Sequence, residues 1–141
     1  MEILFAYALI LCEGYDVLEE YSEELDKLFL ADPENDMYLY LETTTDMRQA
    51  VMHIHSEKRD IPIDYEIFGK ALMKLIGDIY PKSDLNDFTK RMYSLWTKLP
   101  YPMDMEEPFF IFNYADDVLE FNGEKQCRKL LEKAINYYTR K

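Results

Sequence analysis

The residues best equipped for chemistry are few. Tyr114-Ala115-Asp116-Asp117 sets two carboxylates side by side between the apolar runs Phe109–Asn113 and Val118–Phe121. Paired carboxylates of this kind can hold divalent cations for phosphoryl transfer. A turn or helix start with two surface acids explains them more simply and is the reading adopted. His53-Ile54-His55 could ligate a metal from a strand, but on a helix residues two apart point in nearly opposite directions. One exposed and one partly packed imidazole are therefore expected. Cys12 and Cys127 are the only cysteines, and both fall in apolar helical patterns. Buried thiols in an intracellular setting are expected rather than a disulfide. Neither cysteine has a histidine close by in the chain. Trp96, within Tyr93–Leu99, borders an apolar stripe and is assigned a packing role rather than ligand stacking. The sequence contains no G-x-G-x-x-G, Walker loop, C-x-x-C or H-E-x-x-H. No catalytic residue, metal or cofactor is assigned, and the chain is read as a non-enzyme.

Helices must position these residues. At 141 residues the expectation is one domain, 1–141, large enough to bury a core without disulfides or metals. Only four Gly and six Pro leave no room for a linker. Met1–Glu13 reads as a buried helix that Gly14 stops. Its apolar run Ile3–Cys12 has no preceding base and no cleavage site, and is too short to span a bilayer, so a cytoplasmic protein is expected. Asp16, with Glu19 in the box position, caps a second helix with the stripe Leu18, Tyr21, Leu25, Leu28 and Phe29. Asp32-Pro33 marks the start of a third, through Met37–Glu42, and the Thr43-Thr44-Thr45 run breaks it. Asp46 caps the next. Asp60–Ile63 is a loop, Asp64 caps the helix that Pro81 ends, and Asp84 or Ser83 caps the helix that Pro100 ends. Tyr101–Pro108 reads as a surface loop, Phe109–Phe121 stays unassigned, and Glu124–Thr139 is the last helix. The fold class expected is all-α, an antiparallel bundle of about five to six helices joined by short loops.

Charge is distributed unevenly. Residues 13–46 contain twelve acids and one base, Lys27, and so carry −11 of the chain's net −12. On the second helix Asp16, Glu19, Glu20, Glu23 and Lys27 oppose the apolar stripe, with Glu24 and Asp26 flanking them. Like-charge pairs one turn apart each cost about 0.2–0.5 kcal/mol, which Glu23/Lys27 and the positive helix end partly offset. Asp32, Glu34, Asp36, Glu42 and Asp46 extend the field. Such a surface repels phosphate backbones and anionic lipid, so neither nucleic acid nor a membrane is an expected partner. It complements a basic protein, with Tyr38 and Tyr40 as candidate aromatic anchors. A solvated face that keeps the chain soluble is the plainer alternative. Later bases, Lys90, Arg91, Lys98, Lys125, Arg128, Lys129, Lys133, Arg140 and Lys141, are interspersed with acids and read as a mixed-charge surface.

Tyr114–Asp117 is similar to the YADD box of reverse transcriptases, where paired carboxylates help bind two catalytic metal ions. The chain is too short for fingers and palm, and its acidity suits a nucleic-acid template badly, so that reading is set aside. In Asn35–Glu42, in the helix pair Asp64–Leu99, and from Glu107-Pro108 through Tyr114–Asp117 to the last helix, the chain resembles the small acidic helical immunity proteins of bacterial polymorphic and contact-dependent toxin systems. The resemblance implies a cytoplasmic, non-enzymatic inhibitor of one cognate toxin domain, often a basic nuclease. The candidate contact residues, read from charge, are Asp16, Glu19, Glu20, Glu23, Glu24, Asp26, Asp32, Glu34, Asp36, Tyr38, Tyr40 and Glu42. The alternative is an acidic adaptor that binds a basic regulator.

Overall fold

The computed structural model describes residues 1–57 and 62–139. The expected loop Asp60–Ile63 falls partly outside the described residues, as do Arg140 and Lys141. All regular structure among the described residues is helical, and the all-α expectation holds. Among the described residues there are eight α-helices rather than five to six: α1 Glu2–Cys12, α2 Leu18–Ala31, α3 Asp36–Thr43, α4 Met47–Glu57, α5 Tyr65–Ile79, α6 Leu85–Trp96, α7 Ile111–Asn122 and α8 Glu124–Ile135. The aromatic segment after Phe110, left unassigned from the sequence, closes full helical turns and adds a helix, and the short segment expected through Met37–Glu42 is a helix of its own. Short 3-10 turns occur at Tyr80–Lys82, Met103–Met105 and Tyr137–Thr139. No helix among the described residues is long and apolar enough to cross a membrane.

The chain forms two compact units, Met1–Leu72 and Met73–Lys141. In the first, α1 is apolar on nearly every side, and Leu4, Phe5, Ala6, Ala8, Leu9 and Ile10 are all buried. Such a helix must be enclosed. α2 and α4 pack on it, and α3 packs on α2. Phe5 stacks on Phe68 of α5 at 4.7 Å between centroids and meets His55 of α4 edge-on at 5.4 Å. Glu2 accepts the Asp64 N–H at 2.9 Å, which ties the first turn of α1 to the start of α5.

In the second unit α7 packs against both α6 and α8. Phe88, Met92, Leu95, Phe109, Phe112 and Leu131 are buried there. A Cβ at Gly77 would lie 3.1 Å from Ile135 Cγ2, so the missing side chain is what lets α5 approach α8. The segment 101–108 is not a plain surface loop. Met103 and Pro108 are buried, and the Trp96 indole N–H donates to the Asp104 carbonyl at 2.6 Å. The last helix ends at Ile135 rather than Thr139, and the chain finishes its described course in a 3-10 turn.

Three expected caps are in place. Asp46 accepts from the Arg48 and Gln49 N–H groups, Asp64 from Glu66 and Ile67, and Asp84 from Asp87. Two are not. α2 starts at Leu18 with Val17 as its cap residue, and Asp16 does not cap it. Gly14 turns the chain at φ 89°, and the Val17 N–H closes back on the Tyr15 carbonyl, so the helix begins after that turn. At the third helix Asn35, not Asp32, is the cap: its Oδ1 accepts from Met37 N–H at 2.9 Å and Tyr38 N–H at 3.4 Å. Asp32 instead accepts from the Asn35 amide at 3.2 Å, which fixes that amide with its oxygen toward the helix. Leu18, expected in the apolar stripe, is 55% exposed.

Removing a cap that satisfies orphan N–H groups costs about 1 kcal/mol. Asn35→Ala is expected to lower stability in equilibrium urea unfolding by about that amount, whereas Asp16→Ala changes it by less than about 0.5 kcal/mol.

Candidate functional site

The carboxylates of Tyr114–Asp117 lie inside α7, one turn and more past its start, and not in a turn. Asp116 is half-buried and accepts a long hydrogen bond, 3.5 Å, from Thr89 of α6, whose side chain is wholly buried. Asp117 is exposed. Adjacent residues on a helix diverge by about 100°, so the pair does not converge on one ion. Among the described residues no group of three or more His, Cys, Asp or Glu side chains is arranged to hold a metal. His53 and His55 likewise diverge on α4: His53 stacks on Tyr40 at 3.9 Å, and His55 meets Phe5. Both imidazoles are half-buried, where one exposed and one packed were expected. No disulfide joins Cys12 and Cys127. Cys127 is buried, donates to the Ala115 carbonyl at 3.5 Å, and has its thiol pushed up by burial despite the opposing pull of Arg128.

The acids of residues 13–46 gather on the first unit. Asp16, Glu19, Glu20, Glu23 and Asp26 are exposed on and before α2, as are Asp32, Glu34, Asp36, Glu42 and Asp46 on and around α3. Glu13 is buried at the end of α1 and does not contribute to this face. Lys27 lies 3.7 Å from Glu24, one turn away, rather than pairing with Glu23 as expected. Glu24 is half-buried while the lysine is exposed, so the ion pair leaves the outer glutamates uncompensated. The two tyrosines differ. Tyr38 is only 9% exposed and packs in the core, whereas Tyr40 is half-buried and lies over His53. Apolar side chains that charge reading passed over stand beside the acids: Leu18 and Leu30 on α2 and Leu39 on α3 are all more than half exposed.

Nearby phenols register the field. Burial, then Glu20, Glu24 and Glu23, raise the pKa of Tyr7 on α1. Burial, then Asp32, Glu2 and Glu24, raise that of Tyr38. Tyr21 is pushed up to about 12 by burial, with Glu42 and Cys12 adding to it, and its buried hydroxyl makes no hydrogen bond. Between α2 and α3, Glu42 is raised above the usual carboxylate range by local desolvation and by sharing a hydrogen bond and repulsion with Asp26. Where helices α2 and α3 meet, two carboxylates are thus held near each other.

The bases of the second unit are arranged differently. Arg91 bonds Asp87 at 2.7 Å and Arg128 bonds Glu124 at 2.8 Å along their own helices, and Lys133 lies 3.9 Å from Glu107. Arg128 also donates to the Tyr80 hydroxyl at 3.1 Å. These bases face acids and form a mixed-charge surface. Comparison with protein-family models, curated proteins and solved structures finds no significant match to this chain.

Two outcomes follow from the first unit's geometry. Because the folded state raises the Glu42 pKa, its contribution to stability is greatest when the group is protonated and is lost as pH rises through the raised value. Glu42→Gln is expected to flatten that part of the stability–pH curve and to stabilise the protein slightly at neutral pH, as read by thermal unfolding across pH 3–8 (about the range in which carboxylates titrate). Tyr21→Phe removes a buried hydroxyl that has no partner, and is expected to be neutral or stabilising by up to about 1 kcal/mol in urea unfolding.

Proposed function

We propose that this chain is an immunity protein, which binds a cognate bacterial toxin domain and neutralises it through the acidic face of α2 and α3. The observation that carries the reading is the face itself: exposed carboxylates on two packed helices, one lysine among them, with Leu18, Leu30 and Leu39 exposed between the charges. Clustered like charge works against local helix stability, and exposed leucines gain nothing in water. A basic partner with apolar anchors offsets both. The toxin identity of that partner rests on the resemblance in Asn35–Glu42, Asp64–Leu99 and Glu107 onward. A nuclease cleft is lined with bases for phosphate, so an acidic surface can cover it, and long-range attraction speeds the encounter.

Tagged protein recovered from its native cells at low and high salt provides the test. A basic toxin domain retained at low salt, whose toxicity is abolished by co-expression of this chain, supports the proposal. Recovery of a DNA-binding regulator, with no protection from any toxin, replaces it with the adaptor reading. With the toxin in hand, combined Glu19→Gln, Glu20→Gln, Glu23→Gln and Glu24→Gln is expected to slow association about tenfold or more at low salt while circular dichroism stays helical. An unchanged association rate would remove the acidic face from the mechanism.

A further inference from the structure

The acidic face of α2 and α3 is not uniform along its length. Residues 32–35 join the two helices, which pack on each other, so the chain turns back on itself there. Asp26 of α2 lies near Glu42 of α3. One turn from each, toward the connection, stands a leucine: Leu30 follows Asp26 by four residues, and Leu39 precedes Glu42 by three. Residues three and four apart share a helix face. The two leucines therefore stand side by side on the outer face, at the closed end of the hairpin. They are 77% and 51% exposed, and among the described residues no large apolar side chain is more exposed than Leu30.

Acids frame this apolar pair. Asp26 and Glu42 lie on one side of it, and Asp32 in the connection and Asp36, one turn before Leu39, lie on the other; all four are exposed. Residues 28–47 contain no Lys, Arg or His. Leu18, also exposed, is the first residue of α2 and stands about 18 Å along the axis from Leu30, outside this frame. Apolar surface between carboxylates is complementary to the reverse pattern, apolar side chains between cations. At the Asp26 and Glu42 end one cation has to serve two carboxylates. A guanidinium offers five N–H donors in a plane and can bond both, whereas an ammonium is a compact point charge that gives up its hydration less readily. Attraction at long range does not tell these cations apart, but contact does.

We infer that Leu30 and Leu39 are the anchor point of the acidic face, and that they receive a partner segment whose apolar side chains are flanked by arginines, one of them lying between Asp26 and Glu42. The inference rests on the acidic-face reading given above and narrows it to one place and one kind of segment.

The probe is a labelled synthetic helix with two leucines one turn apart and arginines on either side of them. Its binding to the full chain is read by fluorescence anisotropy at physiological ionic strength, beside one form with both leucines replaced by alanine and another with every arginine replaced by lysine. The arginine–leucine helix is expected to bind tightest, the alanine form about tenfold more weakly and the lysine form about threefold more weakly. Combined Leu30→Ser and Leu39→Ser should cost about tenfold, and Leu18→Ser less than about twofold. All three leucines are exposed, so these variants leave the core intact, which circular dichroism checks. Asp26→Asn should abolish the preference for arginine over lysine. Absence of binding, equal affinity for the leucine and alanine helices, or a loss from Leu18→Ser as large as from the double variant would overturn the inference. A toxin that the Leu30→Ser, Leu39→Ser protein still neutralises with unchanged affinity would overturn it while leaving the immunity reading in place.

Discussion

An α-helix that is apolar around its whole circumference has to be enclosed, because no face of it gains from contact with water. α1 is such a helix, and the first unit is organised by that need. Phe5 is held between Phe68 and His55, Leu9 and Ile10 are fully buried, and α2 and α4 supply the cover. A helix used as cover needs only one apolar stripe. On α2 the buried part of that stripe is Tyr21 and Leu25, with Leu28 and Phe29 half-buried beside them, and the opposite side is left to solvent. The acids occupy that remaining circumference. Enclosure of α1 and the acidic face are therefore two sides of one arrangement, since α2 turns one side to α1 and the other to solvent.

That arrangement concentrates repulsion where α2 meets α3. Asp26 and Glu42 lie near each other there, and desolvation together with the neighbouring acid raises the Glu42 pKa. The contact persists because the apolar residues behind it, Tyr21, Leu25, Met37 and Leu41, are buried and hold the helices together. The terms are unequal in size. Each exposed like-charge pair costs a few tenths of a kcal/mol, whereas burying one large apolar side chain contributes about 1.5–3 kcal/mol. Packing decides where the helices go, and the charges accept the positions that result.

The same inequality explains what could be read from the sequence. Asp46, Asp64 and Asp84 were legible as caps because each is followed at once by a helix whose buried stripe starts in register with it. Asp16 and Asp32 carry the same local signal, yet a neighbouring turn displaces each helix start. Gly14 at positive φ redirects the chain before α2, and Asn35 competes successfully for the N–H groups of α3. The charge asymmetry was legible because it needs only counting. The burial of Tyr38 and the exposure of Leu18 were not, since a spacing of three and four defines a stripe but not which edge of it faces the core. In the segment from Tyr101 to Phe121, density of aromatics hid the period altogether, and the engagement of Trp96 with Asp104 joins residues whose types do not announce a contact.

The two units carry their charge differently: the second pairs bases with acids, and the first leaves its acids exposed. On the first, exposed carboxylates act together over distance and are weakened as salt shortens the screening length to about 8 Å at physiological ionic strength. They select for net charge and for speed of encounter, with little regard to the shape of the cation. A field spread over two helices in this way acts across a surface rather than at a point, which suits a macromolecular partner better than a small ion. The net charge of the chain, −11 of −12 of it in residues 13–46, therefore locates the field, because elsewhere acids and bases balance.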